Sequence, residues 1–93
     1  MPYIKPEKRH VLDPHIDGVL NALRELESDD PTNSMEGNMV YVIYKMLVRV
    51  YANGNFDNRS DAIKVLQCAH DEYYRKKMGP YEDQKEFENG TID

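Results

Sequence analysis

The sequence has little of what builds several common kinds of protein. Its only cysteine is Cys68, so no internal disulfide can form and a reducing compartment fits best. Its five glycines are scattered, so it has no glycine-rich phosphate loop. No apolar run approaches the roughly 20 residues that span a bilayer. The opening MPYIKPEKRH lacks the apolar core of a signal peptide. We therefore expect a cytoplasmic protein with no membrane partner.

Positive charge is also in deficit. The chain has 12 Lys and Arg against 17 Asp and Glu, a net charge of −5. Because like charges oppose association with a phosphate backbone, we do not expect a nucleic-acid partner. The apolar fraction of 40% and the charged fraction of 31%, mixed in sign, favour a folded globular chain. A length of 93 residues predicts a single domain, 1–93.

Apolar residues recur at helical spacing, which predicts an all-α fold. We expect a small bundle of three main helices at about 13–28, 38–51 and 59–78. Asp13 is predicted to cap the first helix, with Pro14 at its first position. Gly79-Pro80 is predicted to stop the third helix, with Gly79 as the left-handed residue after it.

The two ends of the chain are predicted to be less regular. Pro2 and Pro6 favour extended or turn conformations in the residues before them, so residues 1–12 are expected to form an irregular N-terminal arm. Residues 80–93 are expected to form a C-terminal tail docked onto the helices.

The predicted middle helix, Met39–Tyr51, is apolar over most of its circumference. Its two adjacent apolar stripes are Met39, Ile43, Met46, Leu47 and Val50, and Val40, Tyr44, Leu47 and Tyr51. Its β-branched residues also admit a strand, but the length and the double helical stripe favour a helix. Such a helix must be covered on several sides. In so short a chain we expect it to lie at the centre of the domain or to form a homo-oligomer interface.

The end of the chain resembles a known family. Its motifs are Glu72-Tyr73-Tyr74-Arg75-Lys76, then Gly79-Pro80-Tyr81-Glu82-Asp83, then Glu88-Asn89-Gly90. They are similar to E-F-Y-R-R, A-P-Y-E-D and E-N-G-D in an uncharacterised family of small helical proteins from prokaryotic and phage genomes. The opening Met1–Glu7 and the Asp13-Pro14 step are similar too, so the resemblance spans nearly the whole chain. The sequence departs mildly at Lys76, Gly79 and Thr91. The resemblance implies a helical fold and carries no assigned activity.

Carboxylates concentrate near the end of the third predicted helix, at Glu72, Glu82, Asp83 and Glu86. Grouped carboxylates can hold Mg²⁺ or Mn²⁺, and helical bundles build such sites from facing acids. A metal-dependent hydrolase of nucleotides is therefore an alternative function. Against it, the middle helix has only Glu36 nearby, so no facing set of acids exists. The histidines and Cys68 lack zinc-ligand spacing. We expect no cofactor.

Aromatic and cationic residues alternate in the same region. The predicted interaction surface consists of Tyr73, Tyr74, Arg75, Lys77 and Tyr81. Tyr and Arg are enriched at protein interfaces. Interleaved aromatics and cations also suit single-stranded nucleic acid, but the adjacent carboxylates oppose it. We therefore expect a non-enzymatic interaction or structural module, homodimeric through the Met39–Tyr51 helix.

Overall fold

The computed structural model describes residues 4–92 and consists of helices joined by short turns. The order is α1 (Pro6–Asp29), α2 (Met35–Val50), α3 (Phe56–Tyr73), a π-helical turn (Tyr74–Met78) and α4 (Gly79–Asn89). No strand occurs between residues 4 and 92. The predicted all-α class with three main helices is confirmed. The chain divides into two compact units, Met1–Val50 and Tyr51–Asp93. The single domain stays a prediction.

The first helix begins at Pro6, so the predicted start at Asp13 is wrong. Lys5 is the extended residue before it, at φ −66° and ψ 150°. Pro6 occupies the first turn, where a missing N–H costs nothing, and Glu7 lies near the positive end of the helix dipole. Pro14 lies inside the helix. Pro6 carries the same start signal as Pro14, and the helix uses the earlier one.

The expected irregular arm over residues 1–12 is therefore corrected, because residues 6–12 belong to α1. Residues 1–3 lie outside the described part of the chain. Lys5 is not helical, and the guanidinium of Arg9 donates a hydrogen bond of 2.7 Å to the carbonyl of Ile4. This bond holds the short non-helical segment against the first turn of α1.

The turn between α1 and α2 is built by side chains that bond to nearby backbone. Asp30 precedes Pro31 and is extended (φ −141°, ψ 98°), as a residue before proline prefers to be. Its carboxylate accepts hydrogen bonds from the hydroxyl and N–H of Thr32, at 2.6 and 2.9 Å. These bonds lower the pKa of Asp30. Ser34 then caps α2, because its hydroxyl accepts from the N–H of Gly37 at 3.1 Å.

The turn between α2 and α3 is built by Gly54 and the asparagines around it. Gly54 has a φ of +83°, a left-handed conformation that glycine adopts readily. The cap of α3 is Asn55, whose side chain accepts from the N–H of Asn58 at 2.8 Å. Asn58 accepts instead from the N–H of Asn53 at 3.0 Å. The third helix therefore begins at Phe56, a few residues earlier than predicted.

The predicted stop at Gly79-Pro80 is wrong, because the helix continues through both residues. Pro80 has no N–H, and in an α-helix its ring would press on the carbonyl four residues back. The backbone widens into a π turn instead, and the N–H of Gly79 bonds to the carbonyl of Tyr74. Gly79 is right-handed, with φ −57° and ψ −53°. A Cβ at this position would lie 3.2 Å from the Tyr74 carbonyl oxygen, so glycine suits the turn.

The expected C-terminal tail is therefore largely helical. Residues Gly79–Asn89 form α4, which follows the π turn without a break. Gly90 ends it at a φ of +86°, and its N–H bonds to the carbonyl of Glu86 at 2.8 Å. The helix α4 therefore ends at Asn89-Gly90.

Burial is confined to one residue in the described chain. Leu23 of α1 is 7% exposed and is the only buried side chain among residues 4–92. It faces α2 across a groove lined by Val19, Ala22, Leu23, Leu26, Asn38, Tyr41 and Val42. Leu23 belongs to an apolar stripe of α1 whose other members are exposed: Ile16, Val19, Leu20 and Leu26. Each helix of this hairpin thus buries little beyond the seam that it shares with the other.

Replacement of Pro14 by Ala tests the position of the α1 start. Inside a helix, proline removes a hydrogen bond and crowds a carbonyl, so Pro14→Ala should raise the free energy of unfolding by about 1–3 kcal/mol. Pro6→Ala is the matched control and should change it by less than about 0.5 kcal/mol, because the first position needs no N–H. Far-UV circular dichroism during thermal unfolding measures both. A helix that begins at Pro14 would give the opposite ranking.

Candidate functional site

The predicted interaction surface lies on and beside the π turn. Tyr73 ends α3, Arg75 and Lys77 belong to the π turn, and Tyr81 lies in the first turn of α4. Tyr74 opens the π turn. All five side chains are exposed. The helix continues through Gly79-Pro80, so one continuous helix carries the whole set rather than a helix and a separate tail.

Tyr74 interacts with side chains on both sides of it along the helix. Its ring stacks on the imidazole of His70, with centroids 6.3 Å apart and planes inclined by 23°. Its hydroxyl donates a hydrogen bond to the carboxylate of Glu82, and this bond raises the pKa of Tyr74. The negative charges of Glu82 and Asp83 add to the effect. Tyr74 therefore bridges the last turns of α3 and the first turn of α4 across the π turn.

The other predicted side chains make local contacts. The guanidinium of Arg75 lies 2.6 Å from the carboxylate of Glu72, one turn earlier. The ammonium of Lys85 lies 5.6 Å from the ring centre of Tyr81 and 3.1 Å from the carboxylate of Glu88. Such exposed pairs contribute little stability each, typically about 0–1 kcal/mol. They leave the apolar surface of the tyrosines open.

Sequence reasoning missed two residues that belong to this surface. His70, Tyr73, Tyr74 and Met78 together line a shallow apolar depression. The signal was present, since His70, Tyr74 and Met78 are spaced by four residues, as on one helix face. Placing a helix stop after Met78 hid the continuity of that face with Glu82.

The carboxylates predicted to hold a metal are engaged separately. Glu72 pairs with Arg75, and Glu82 accepts from Tyr74. Asp83 and Glu86 are exposed. Within residues 4–92, no group of three or more His, Cys, Asp or Glu side chains is arranged to hold a metal ion. The metal-dependent hydrolase and the single-strand-binding surface both stay predictions.

The second candidate surface is the exposed apolar surface of α2. Eight of its large apolar side chains are between 40% and 66% exposed: Met39, Val40, Tyr41, Ile43, Tyr44, Met46, Val48 and Val50. Among the Val, Ile and Leu side chains of α2, only Val42 and Leu47 are partly buried. The helix ends at Val50, one residue before the predicted Tyr51, a difference within the usual fraying of helix ends. The predicted stripes thus exist on α2, and most of their surface is open.

Comparison with known proteins gives a family for the chain. Residues 1–92 match the DUF6899 domain, described as a domain of unknown function. The chain belongs to the DUF6899 family. No curated protein and no solved structure matches the chain. The predicted membership of an uncharacterised family is confirmed, and the family assigns no activity.

The helices of this DUF6899 protein are too short or too polar to span a membrane. Between residues 4 and 92, no helix combines the length and the hydropathy needed to cross a bilayer. The longest, α1, has 24 residues but carries charged side chains throughout.

Ionisation of Tyr74 tests its contact with Glu82. Because the folded-state pKa of Tyr74 is raised, the contact stabilises the fold below pH 10 and is lost as pH rises through the folded-state pKa. In spectrophotometric titration, Tyr74→Phe should remove the last tyrosine to ionise, and Glu82→Gln should lower the pKa of that tyrosine. Tyr73→Phe, the matched control, should leave the late phase in place. An unchanged titration in Glu82→Gln would show that the two side chains do not interact.

Proposed function

We propose that this protein is a non-enzymatic interaction module that self-associates through α2. The observation that supports the proposal is the open apolar side of that helix, in a hairpin whose only buried side chain is Leu23. Large exposed apolar patches on a protein surface typically mark an interaction site. The protein would work by holding chains together, with no bond made or broken.

The distribution of apolar residues around α2 supports association. Asn38, Tyr41 and Val42 line the groove shared with α1, so this side faces the neighbouring helix. Met39, Ile43, Met46 and Val50 are three or four residues apart and form a stripe on another side. Tyr44, at 66% exposure, lies beside that stripe. Because α2 packs against α1 along one seam only, a second partner is needed to cover the stripe that starts at Met39.

The energetics favour covering the stripe. Burying an Ile, Met or Val side chain contributes about 1.5–3 kcal/mol relative to leaving it exposed. Met39, Ile43, Met46 and Val50 therefore offer several kcal/mol per copy. Association costs about 4–15 kcal/mol in lost freedom of motion. A symmetric interface buries the same stripe in both copies. The free energy of burial is therefore doubled and becomes comparable with the cost of association.

Two helical hairpins can meet in a known architecture. Antiparallel helix pairs that pack face to face form four-helix bundles, with apolar side chains from all four helices in the centre. The α1–α2 hairpin has the short connection and the apolar faces that such a bundle uses. A two-fold axis between the α2 helices would pair like stripe with like stripe.

The proposal includes a cytoplasmic location. The lone thiol of Cys68 supports it, because unpaired cysteines suit reducing compartments. No cofactor is required, since apolar burial alone accounts for the association.

Charge introduced into the α2 stripe tests the proposal. Light scattering coupled to size-exclusion chromatography should give at least the mass of a dimer for the wild type. The double variant Ile43→Glu/Met46→Glu should raise the dimer dissociation constant by at least about 100-fold, because two charges per chain would be buried without partners.

Lys45→Glu is the matched control, since it makes the same change of two charge units on the same helix. It lies between the two test positions and should leave the mass unchanged. A wild type that is monomeric at high concentration contradicts the proposal, as does a double variant that keeps the mass of the wild type. Equal loss in Lys45→Glu would assign the effect to net charge and also contradict it.

A further inference from the structure

A second apolar stripe runs along the continuous helix formed by α3, the π turn and α4. Its members are Ile63, Leu66, His70, Tyr74, Met78 and Tyr81, spaced by three or four residues. Two contacts lie along this face, and the second of them reaches across the π turn. His70 stacks on Tyr74, and Tyr74 donates to Glu82. Each of these stripe residues is exposed.

Charge is strongly ordered along the same helix. The π turn carries three cations, Arg75, Lys76 and Lys77, and no acid. The following helix, α4, carries four acids, Glu82, Asp83, Glu86 and Glu88, and one lysine. The two adjacent segments therefore carry net charges of +3 and −3. The apolar Met78 and Tyr81 lie at the junction between them.

This order is self-complementary in one orientation only. In a parallel pair, the cations of one helix would face the cations of the other, and like charges oppose association. In an antiparallel pair centred on the junction, each basic π turn faces the acidic α4 of the other copy. A two-fold symmetric interface requires a surface that complements itself, and this one does.

We propose that a second copy of this chain docks antiparallel on this face, with the two-fold axis close to Met78 and Tyr81. Tyr74, Met78 and Tyr81 of both copies form the apolar centre. Arg75 and Lys77 of one copy face Glu82 and Glu86 of the other, which lie four and eight residues after Met78 on its side of the helix. The contact is separate from the α2 association and does not depend on it.

Site-specific cross-linking tests the orientation. In a Cys68→Ser background, Met78→Cys places a thiol close to the proposed axis, and Leu66→Cys places one well away from it. At a rise of 1.5 Å per residue, the two copies of residue 66 would lie about 40 Å apart in the antiparallel pair. Oxidation should therefore give covalent dimer from Met78→Cys and none from Leu66→Cys. Covalent dimer from both variants would indicate parallel pairing and overturn the proposal, and so would covalent dimer from neither.

Charge reversal tests the complementarity, with the same disulfide as readout. Arg75→Glu/Lys77→Glu and Glu82→Lys/Glu86→Lys, each added to Met78→Cys, should each reduce the cross-linking rate at least about tenfold. Mixing the two variants should restore the rate and yield only the mixed dimer, because each supplies the charge that the other lacks. Raised salt should slow the cross-linking of the Met78→Cys parent.

Lys76→Glu is the matched control for charge. It belongs to the same π turn but lies two residues from Met78, on nearly the opposite side of the helix. Its cross-linking rate should stay within about twofold of the parent. Two outcomes would overturn the assignment of this face to a second copy. One is a cross-linking rate that neither double reversal changes, and the other is an equal fall of the rate in Lys76→Glu.

Discussion

The structure depends on one geometric constraint: a pair of helices shares a single seam, and each helix can bury one stripe along it. α1 and α2 meet in this way, and the seam holds the only buried side chain among residues 4–92, Leu23. The rest of the apolar surface of α2, including Tyr44 and Val50, lies outside the seam. A small chain buries a smaller fraction of its surface than a large one, and the proposed association would cover the apolar surface that α2 leaves exposed.

Proline placement is the second organising feature. Pro80 removes a backbone donor in the middle of a long helix, and the chain responds by widening into a π turn rather than by ending. The turn changes which residues share a face. It brings Tyr74 into contact with Glu82, and it places three cations directly before an acidic helix. The apolar and charged features of this region therefore follow from one local backbone change.

The residues of the candidate surface could be named from the sequence, because Tyr and Arg are enriched at protein interfaces. Tyr73, Tyr74, Arg75, Lys77 and Tyr81 are exposed, and their role as an interaction surface stays a prediction. The involvement of His70 and Met78 was not predicted. Gly79-Pro80 is a strong local signal for a helix stop, and only the hydrogen bond from Gly79 to Tyr74 shows that the helix continues.

The sequence alone determined the all-α class, the three main helices and the apolar stripes of α2, because helical periodicity is a local property of the chain. It also determined the left-handed turn at Gly54, since few residues tolerate that conformation. Tertiary structure decided between Pro6 and Pro14 as the helix start, and between a stop and a π turn at Pro80. These choices depend on which backbone hydrogen bonds are completed, and local signals that compete on equal terms do not specify them.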